Sequence, residues 1–513
     1  MIVIVVIAFI GIFSQSLISA DKAKWIRKII IVKEKSFSNS LSFLNDLKFS
    51  TKDAVIFNDI TFKAGDSLDL YKLYESERIL REREFLANVK MDLSPVGDDS
   101  VDVIISFADK WSTYVNFSYR RQGDYRNYGL TFKDLNLFGF GYNVSLSLAF
   151  LNFGKSREFI FFDKNLFGTR YELKFQDKLY PEWGIKTIHL HRRFYSLESG
   201  HELSLYYQDF SGQKYIFQGE SYKGMFLKNN LFEFLTSIGL STEVSYLNSS
   251  EAISNRRALK VRYYFDKDRG EGYKRESEMF NLGVYTWALR YLRSRYFNFS
   301  IDYEDVQLGH FFGLSTGFDL RSDLWYSDLS FGFANLFGAT NYLYMMGYFG
   351  RFYPRKEDMF RFEFVLTKIF LKKNNFTMRF QALKNPKDGE PILIDIKDIR
   401  GVGSERYWGR YKVIINAEGR FFDVLRFWKF SFGIDIFFEK ALMKSSHINN
   451  LTDVGFGLMI ENSLLAGMKI FRIEVAYNPI YRRFMPVISV GAFFSAFGDM
   501  DLPMPGPKRT YQY

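Results

Sequence analysis

From residue 111 to residue 497 polar and apolar side chains alternate in one short segment after another, and no stretch holds a helical period. In Asn143–Phe150, Val144, Leu146, Leu148 and Phe150 oppose Asn143, Ser145, Ser147 and Ala149. Phe297–Glu304 repeats the pattern, and Phe471, Ile473, Val475 and Tyr477 alternate with Arg472, Glu474, Ala476 and Asn478. A period of two sends successive side chains to opposite faces of a strand. One face apolar along its length, backed by a face carrying Arg, Glu and Asp, suits a sheet between lipid and a wet lumen. The pattern therefore predicts a mainly β chain, a transmembrane antiparallel β-barrel over 111–497. Allowing roughly 24 residues per strand and its connection gives about 16 strands. Pro486–Phe497 reads as the last of them, and 498–513 as a tail. The interruptions at 211–231 and 386–408 predict long extracellular loops. No internal repeat of fixed period accompanies the alternation, which argues against propellers and solenoids.

The segment 24–110 is patterned differently. Ile29–Val32 is a short strand candidate, and Thr51 is placed to cap a helix over Ala54–Phe57. Asp69–Arg83 predicts a longer charged helix with Leu70, Leu73 and Leu80 along one side. Val89–Leu93 and Val101–Phe107 follow as strands around a turn at Ser94–Ser100. The order strand, helix, helix, strand, strand predicts a small α+β module of soluble type. Residues 1–20 run apolar from Met1 to Phe13 and then reach Ser19-Ala20, the pattern of a secretory signal peptide cleaved near Asp21. The module would then lie in the periplasm and the barrel in a bacterial outer membrane.

Composition agrees with export to a membrane without helices. Aromatics make 19% of the 513 residues, with 57 Phe, 33 Tyr and 7 Trp, as two interfacial girdles require. Mean hydropathy is −0.16 and 25% of residues are charged, so the runs of about 20 apolar residues that helical spans need are missing. There are 10 prolines, few enough for long uninterrupted strands. The formal charge of +11 is spread through the alternating segments rather than gathered in a stripe, which favours anionic lipid head groups or a solvated lumen over nucleic acid. The absence of Cys excludes disulfides and thiolate metal sites.

Candidate chemistry for an enzyme is sparse. Of the five His, His189 and His191 share one face of a strand, but no further metal ligand accompanies them and a pair of surface His is the simpler reading. No G-x-S-x-G, H-E-x-x-H, P-loop or dinucleotide fingerprint occurs. The expectation is no enzyme, no cofactor and no metal.

Four stretches carry a resemblance. FNDITFKAGDSLDLYKLYESERILREREFLANVKM (Phe57–Met91) is followed by VDVIISFADKW (Val101–Trp111), then by GLTFKDLNLFGFGYNVSLSL (Gly129–Leu148). The fourth is DIRGVGSERYWGRYKVIINAEGR (Asp398–Arg420). In this order they resemble a POTRA domain, its passage into the first barrel strands, and the conserved loop motif of the BamA/TamA-type outer-membrane superfamily. That motif is an apolar-Arg-Gly-aromatic tetrad before a strand ending in Glu-x-Arg. The chain departs from it in having room for one POTRA domain only, Val402 at the aromatic position, and 16 residues after the last predicted strand.

The resemblance implies that Arg400 and Gly401 lie on a loop folded into the lumen, with Arg400 pairing Glu418 and Asp435. Alternation places both carboxylates on the inward face, and a guanidinium fork suits such pairing. Without the resemblance, Arg400 reads rather as a solvated loop residue beside a turn glycine.

Two functions compete. In the first, the chain inserts or translocates unfolded outer-membrane or secreted polypeptides. The module, with Val101–Phe107 as an open edge, would receive the client alongside periplasmic accessory proteins, while the charged helix remains a solvated face. The seam between first and last strands, marked by Ser112, Tyr114, Phe117, Val490, Phe494 and Phe497, would open sideways into lipid, since only a closed barrel satisfies its backbone there. In the second, the chain is a passive porin or surface receptor with the same shape.

Overall fold

The computed structural model describes residues 24–35, 48–122, 125–151, 154–194, 199–218, 221–248, 251–301, 303–338, 340–354, 356–385, 392–394, 398–402, 407–443, 450–463, 466 and 470–490. The signal-like segment and the tail, with Phe494 and Phe497, lie outside them.

A three-stranded module comes first: β1 (Trp25–Glu34), α1 (Asp53–Asp59), α2 (Leu70–Arg81), β2 (Leu86–Val96) and β3 (Ser100–Asp109). The sheet order is β1-β3-β2, with β1 parallel and β2 antiparallel to β3. β3 is thus the central strand, and Val101–Phe107 offers no open edge. Its Val103, Ile105 and Phe107 are fully buried because both neighbours and the helices cover them. Of the two real edges, β1 is partly covered where Ile26 and Leu68 exchange backbone bonds with Asp66 and Lys24. α2 begins because the Asp69 carboxylate accepts from the Tyr71 and Lys72 amides, at 2.9 and 3.4 Å. Thr51 does not cap α1; its amide and hydroxyl donate to Asp109 instead.

Twenty strands among the described residues then follow chain order in the topology of a closed barrel, from Thr113–Gln122 to Arg483–Val490. Each is antiparallel to the next, with the register shifted at bulges near Leu240, Leu247, Asp423 and Asn136. The ring returns from the last strand to the first, so the barrel closes on itself. The count exceeds the expected 16 or so because the connections are shorter than the allowance of roughly 24 residues per strand supposes. Strands as long as Ser221–Asn248 turn within two residues into the next.

Two expectations about this region fail. Residues 211–231 are no loop: Ser211 to Gln218 pair with Lys228 to Ser221 in a tall hairpin. Phe297–Glu304 is no strand either. The strands flanking it are Tyr273–Ser294 and Glu304–Asp319, and the segment between them turns inward. Alternation alone could not see this, because Phe297, Asn298 and Ser300 are all buried, polar and apolar alike. The connection over 386–408 is long, as expected, and takes part in a small ladder between Ile392–Ile394 and Tyr407–Gly409.

The wall has the predicted two faces. In Phe430–Met443, Asp435, Phe437, Glu439 and Ala441 are buried while Ile434, Ile436 and Phe438 are exposed. Leu146, Leu148, Phe150, Phe456, Leu458 and Ile473 continue the exposed apolar belt. A belt this extensive finds its free-energy minimum in lipid. No described helix is long and apolar enough to cross a membrane.

The module is seated on one mouth of the barrel. Its apolar core of Val55, Ile56, Leu80, Phe85 and Phe107 extends onto Leu135 and Ala466 of the barrel rim. α2 is not a solvated face, for Glu75, Ser76 and Arg78 are buried. Arg81 binds Asp305 at 2.8 Å, Arg293 binds Glu77 at 3.2 Å, and Lys164 binds Glu82 at 2.6 Å. The Arg78 guanidinium lies 4.3 Å from the Tyr291 ring centre. The 386–408 connection joins strand ends at the opposite mouth.

Candidate functional site

The Arg400 segment folds into the lumen. A short 3-10 turn, Arg400–Val402, is anchored through its own backbone: the Arg400 amide donates to Glu439 and the Gly401 amide to Asp453, both at 2.7 Å. Gly401 is required here, since a Cβ would stand 2.5 Å from the Asp453 carboxylate. Just upstream, Asp398 accepts two bonds of 2.9 Å from Lys412, and its carbonyl accepts from Asn416 at 3.0 Å. Ile394 and Ile399 pack on Ile414, Ala441 and Leu451 of the wall. The segment is held by charge and by apolar contact together.

The Arg400 side chain is fully buried. It bonds Glu418, lies 3.5 Å from Glu439 and 3.6 Å from Glu474, and stacks 3.8 Å from the Phe437 ring centre. Asp435 is not its direct partner: that carboxylate meets Arg472 at 3.1 Å. The expected triad is therefore a larger cluster. Glu418 sits at its centre, accepting from Arg400, from Arg420 at 2.6 Å and from Arg472 at 2.9 Å. Glu474 adds a bond to Arg472 at 3.2 Å. Three guanidiniums and four carboxylates share a region with no exposed side chain. Ions this deep persist only when each is paired and hydrogen-bonded, because desolvation costs several kcal/mol per ion.

Sequence reading had not assigned Arg472, Glu474, Glu439 or Asp453 to the cluster. The signal was present: each lies at an inward parity position of its strand, as Asp435 and Glu418 do.

At the proposed seam, Ser112 donates to Asp134 at 2.8 Å. Tyr114 packs on the module core, and Phe117 points outward, 67% exposed. Val490 ends the last described strand. His189 bonds Ser204 at 2.8 Å and His191 faces Glu202 at 3.3 Å. No group of three potential metal ligands occurs among the described residues.

A scan against protein-family models found no match, and neither did a search of curated proteins. Solved structures do resemble the chain. BamA from Haemophilus ducreyi lacking POTRA domains 1-3 is 11% identical, covering 91% of this chain and 83% of that one, with a TM-score of 0.34. CdiB from Escherichia coli is 10% identical over 91% and 75%, with a TM-score of 0.40. CdiB from Acinetobacter baumannii is 13% identical over 89% and 70%, with a TM-score of 0.39. The chain is similar in its course to these BamA and CdiB barrels.

Proposed function

We propose that the chain is a polypeptide insertase or translocator of the bacterial outer membrane, a POTRA-like module followed by a barrel of the BamA/TamA type. The observation that carries this reading is a lumen filled rather than open. Besides the Arg400 segment, Tyr264, Tyr285, Tyr326, Tyr342 and Tyr344 are buried inside the wall, each at most 2% exposed. A passive porin works through a standing aqueous channel, and these side chains occupy the space it would need.

Transport through such a barrel requires something to move. The ring junction between Thr113–Gln122 and Arg483–Val490 joins the first and last strands of the ring, which no hairpin links, so a client strand could enter there without cutting through a connection. On the module, the edges are β1 and β2, since β3 is central; β1 is covered near Ile26, and the Met91 amide of β2 donates to Glu77 at 3.2 Å, so an extended client would pair with the rest of either edge. Unfolded outer-membrane or secreted polypeptides are the clients, lipid the surroundings, and periplasmic accessory proteins possible neighbours of the module.

The chain has no native Cys, so a Cys pair across the junction gives a clean test. Insertion of an unfolded barrel client into reconstituted vesicles should fall when the pair is oxidised and recover on reduction. Equal activity in both states would favour the porin reading.

A further inference from the structure

We infer that residues 295–301 form a crossbar that closes the lumen at the module end, and that Arg420 ties its seating to the Arg400 segment on the far side. The crossbar leaves the ring between Tyr273–Ser294 and Glu304–Asp319 and reaches side chains far along it. Asn375 donates to the carbonyls of Tyr296 and Phe297 at 2.7 and 2.6 Å. Glu461, seven strands onward from Glu304–Asp319 in a ring of twenty, accepts from the Ser300 and Ile301 amides at 2.7 and 3.0 Å. Ser300 also meets Ser431 at 3.3 Å, and the Phe297 ring stands edge-on to Tyr342 at 5.7 Å. A connection bonded to walls this distant spans the mouth rather than lining it.

Arg420 joins the two inward segments. One nitrogen donates to the Phe297 carbonyl and the Asn298 side chain, both at 3.1 Å. Another donates to Glu418 at 2.6 Å, and Glu418 also holds Arg400. Both roots of the crossbar are in turn gripped by α2, through Arg293–Glu77 and Arg81–Asp305. Contact therefore runs unbroken from the module, through the crossbar and Arg420, to the segment anchored from the opposite mouth. Arg420 is a positioning residue: Glu418 is shared between Arg400 and Arg420, so a shift of that carboxylate when Arg400 is lost moves the fork that holds the crossbar. The inference rests on lumen geometry and holds whatever the cargo.

The test uses the full chain in lipid vesicles, carrying Ile301→Cys as its only thiol. Labelling of that thiol by a bulky maleimide reads crossbar release, and protease cleavage within 386–408 reads release of the Arg400 segment. Arg400→Ala, which removes a residue bonded to Glu418 rather than to the crossbar, should speed labelling about tenfold, and Arg400→Lys less. Reciprocally, Asn298→Ala should speed cleavage within 386–408. Tyr326→Ala, a comparable loss elsewhere in the lumen, serves as control and should do neither. Labelling unchanged to within about twofold in Arg400→Ala that still migrates as a heat-modifiable barrel overturns the coupling. So does an equal response to Tyr326→Ala. Should Arg400→Ala fail to form a barrel, unchanged cleavage in Asn298→Ala overturns it alone.

Discussion

Removing the Arg400 side chain is the sharpest test of the lumenal cluster. Arg400→Ala deletes one of three cations among Glu418, Asp435, Glu439 and Glu474, all fully buried, and takes away the stack on Phe437. Glu418 keeps Arg420 and Arg472, and Glu474 keeps Arg472. Glu439 retains the Arg400 amide but loses the nearby guanidinium. Breaking one partner from a buried pair costs about 3–5 kcal/mol, and the surviving pairings place this case toward the lower end. Arg400→Lys keeps a charge without the fork and should recover part of the loss. Glu418 serves three guanidiniums, so Glu418→Gln should be at least as damaging as Arg400→Ala, whereas Asp435→Asn should be the mildest. Unfolding in urea, followed by heat-modifiable gel migration, gives the stability, and protease access to 386–408 reports the segment. If Arg400→Ala altered neither, or Asp435→Asn exceeded Glu418→Gln, the reasoning would be wrong.

Gly401→Ala forces a Cβ against Asp453 and should cost about 1–3 kcal/mol, seen as faster cleavage within 386–408. Asp305→Ala leaves Arg81 with Glu77 and should weaken module docking by about 1–2 kcal/mol, read from protease release of the module. The module should hold at mild acid and loosen only in stronger acid. Burial pushes the Asp59 carboxyl up, but Arg83 at 2.6 Å and Asn165 at 2.9 Å hold it below its ordinary value. Burial likewise opposes Glu82, which Lys164 and Arg78 hold low. A depressed carboxylate contributes stability above its unfolded pKa of about 4, and loses it as pH falls through the folded value. Asp59→Asn should flatten that acid limb of a pH series of proteolysis at the module junction.

The alternation of side chains determined the barrel, because a lipid-facing wall must present one face to hydrocarbon and the other to its lumen, and only period two does that in a strand. It also gave the inward parity of Glu418 and Asp435, which is a local property. What alternation cannot carry is which inward group meets which. Arg400 reaches Glu439 and Glu474 rather than Asp435 because the turn of its segment and the stagger of four strands set the distances, and neither is written within any one strand. The same holds for β3, whose central place depends on a parallel partner about 75 residues upstream. Phe297–Glu304 shows the limit most plainly. Its alternation is as regular as that of Asn143–Phe150, yet the backbone groups that a strand would give to neighbours are taken by Asn375, Arg420 and Glu461 from across the lumen. Local pattern states what each face prefers; closure of the ring decides which distant side chains are there to satisfy it.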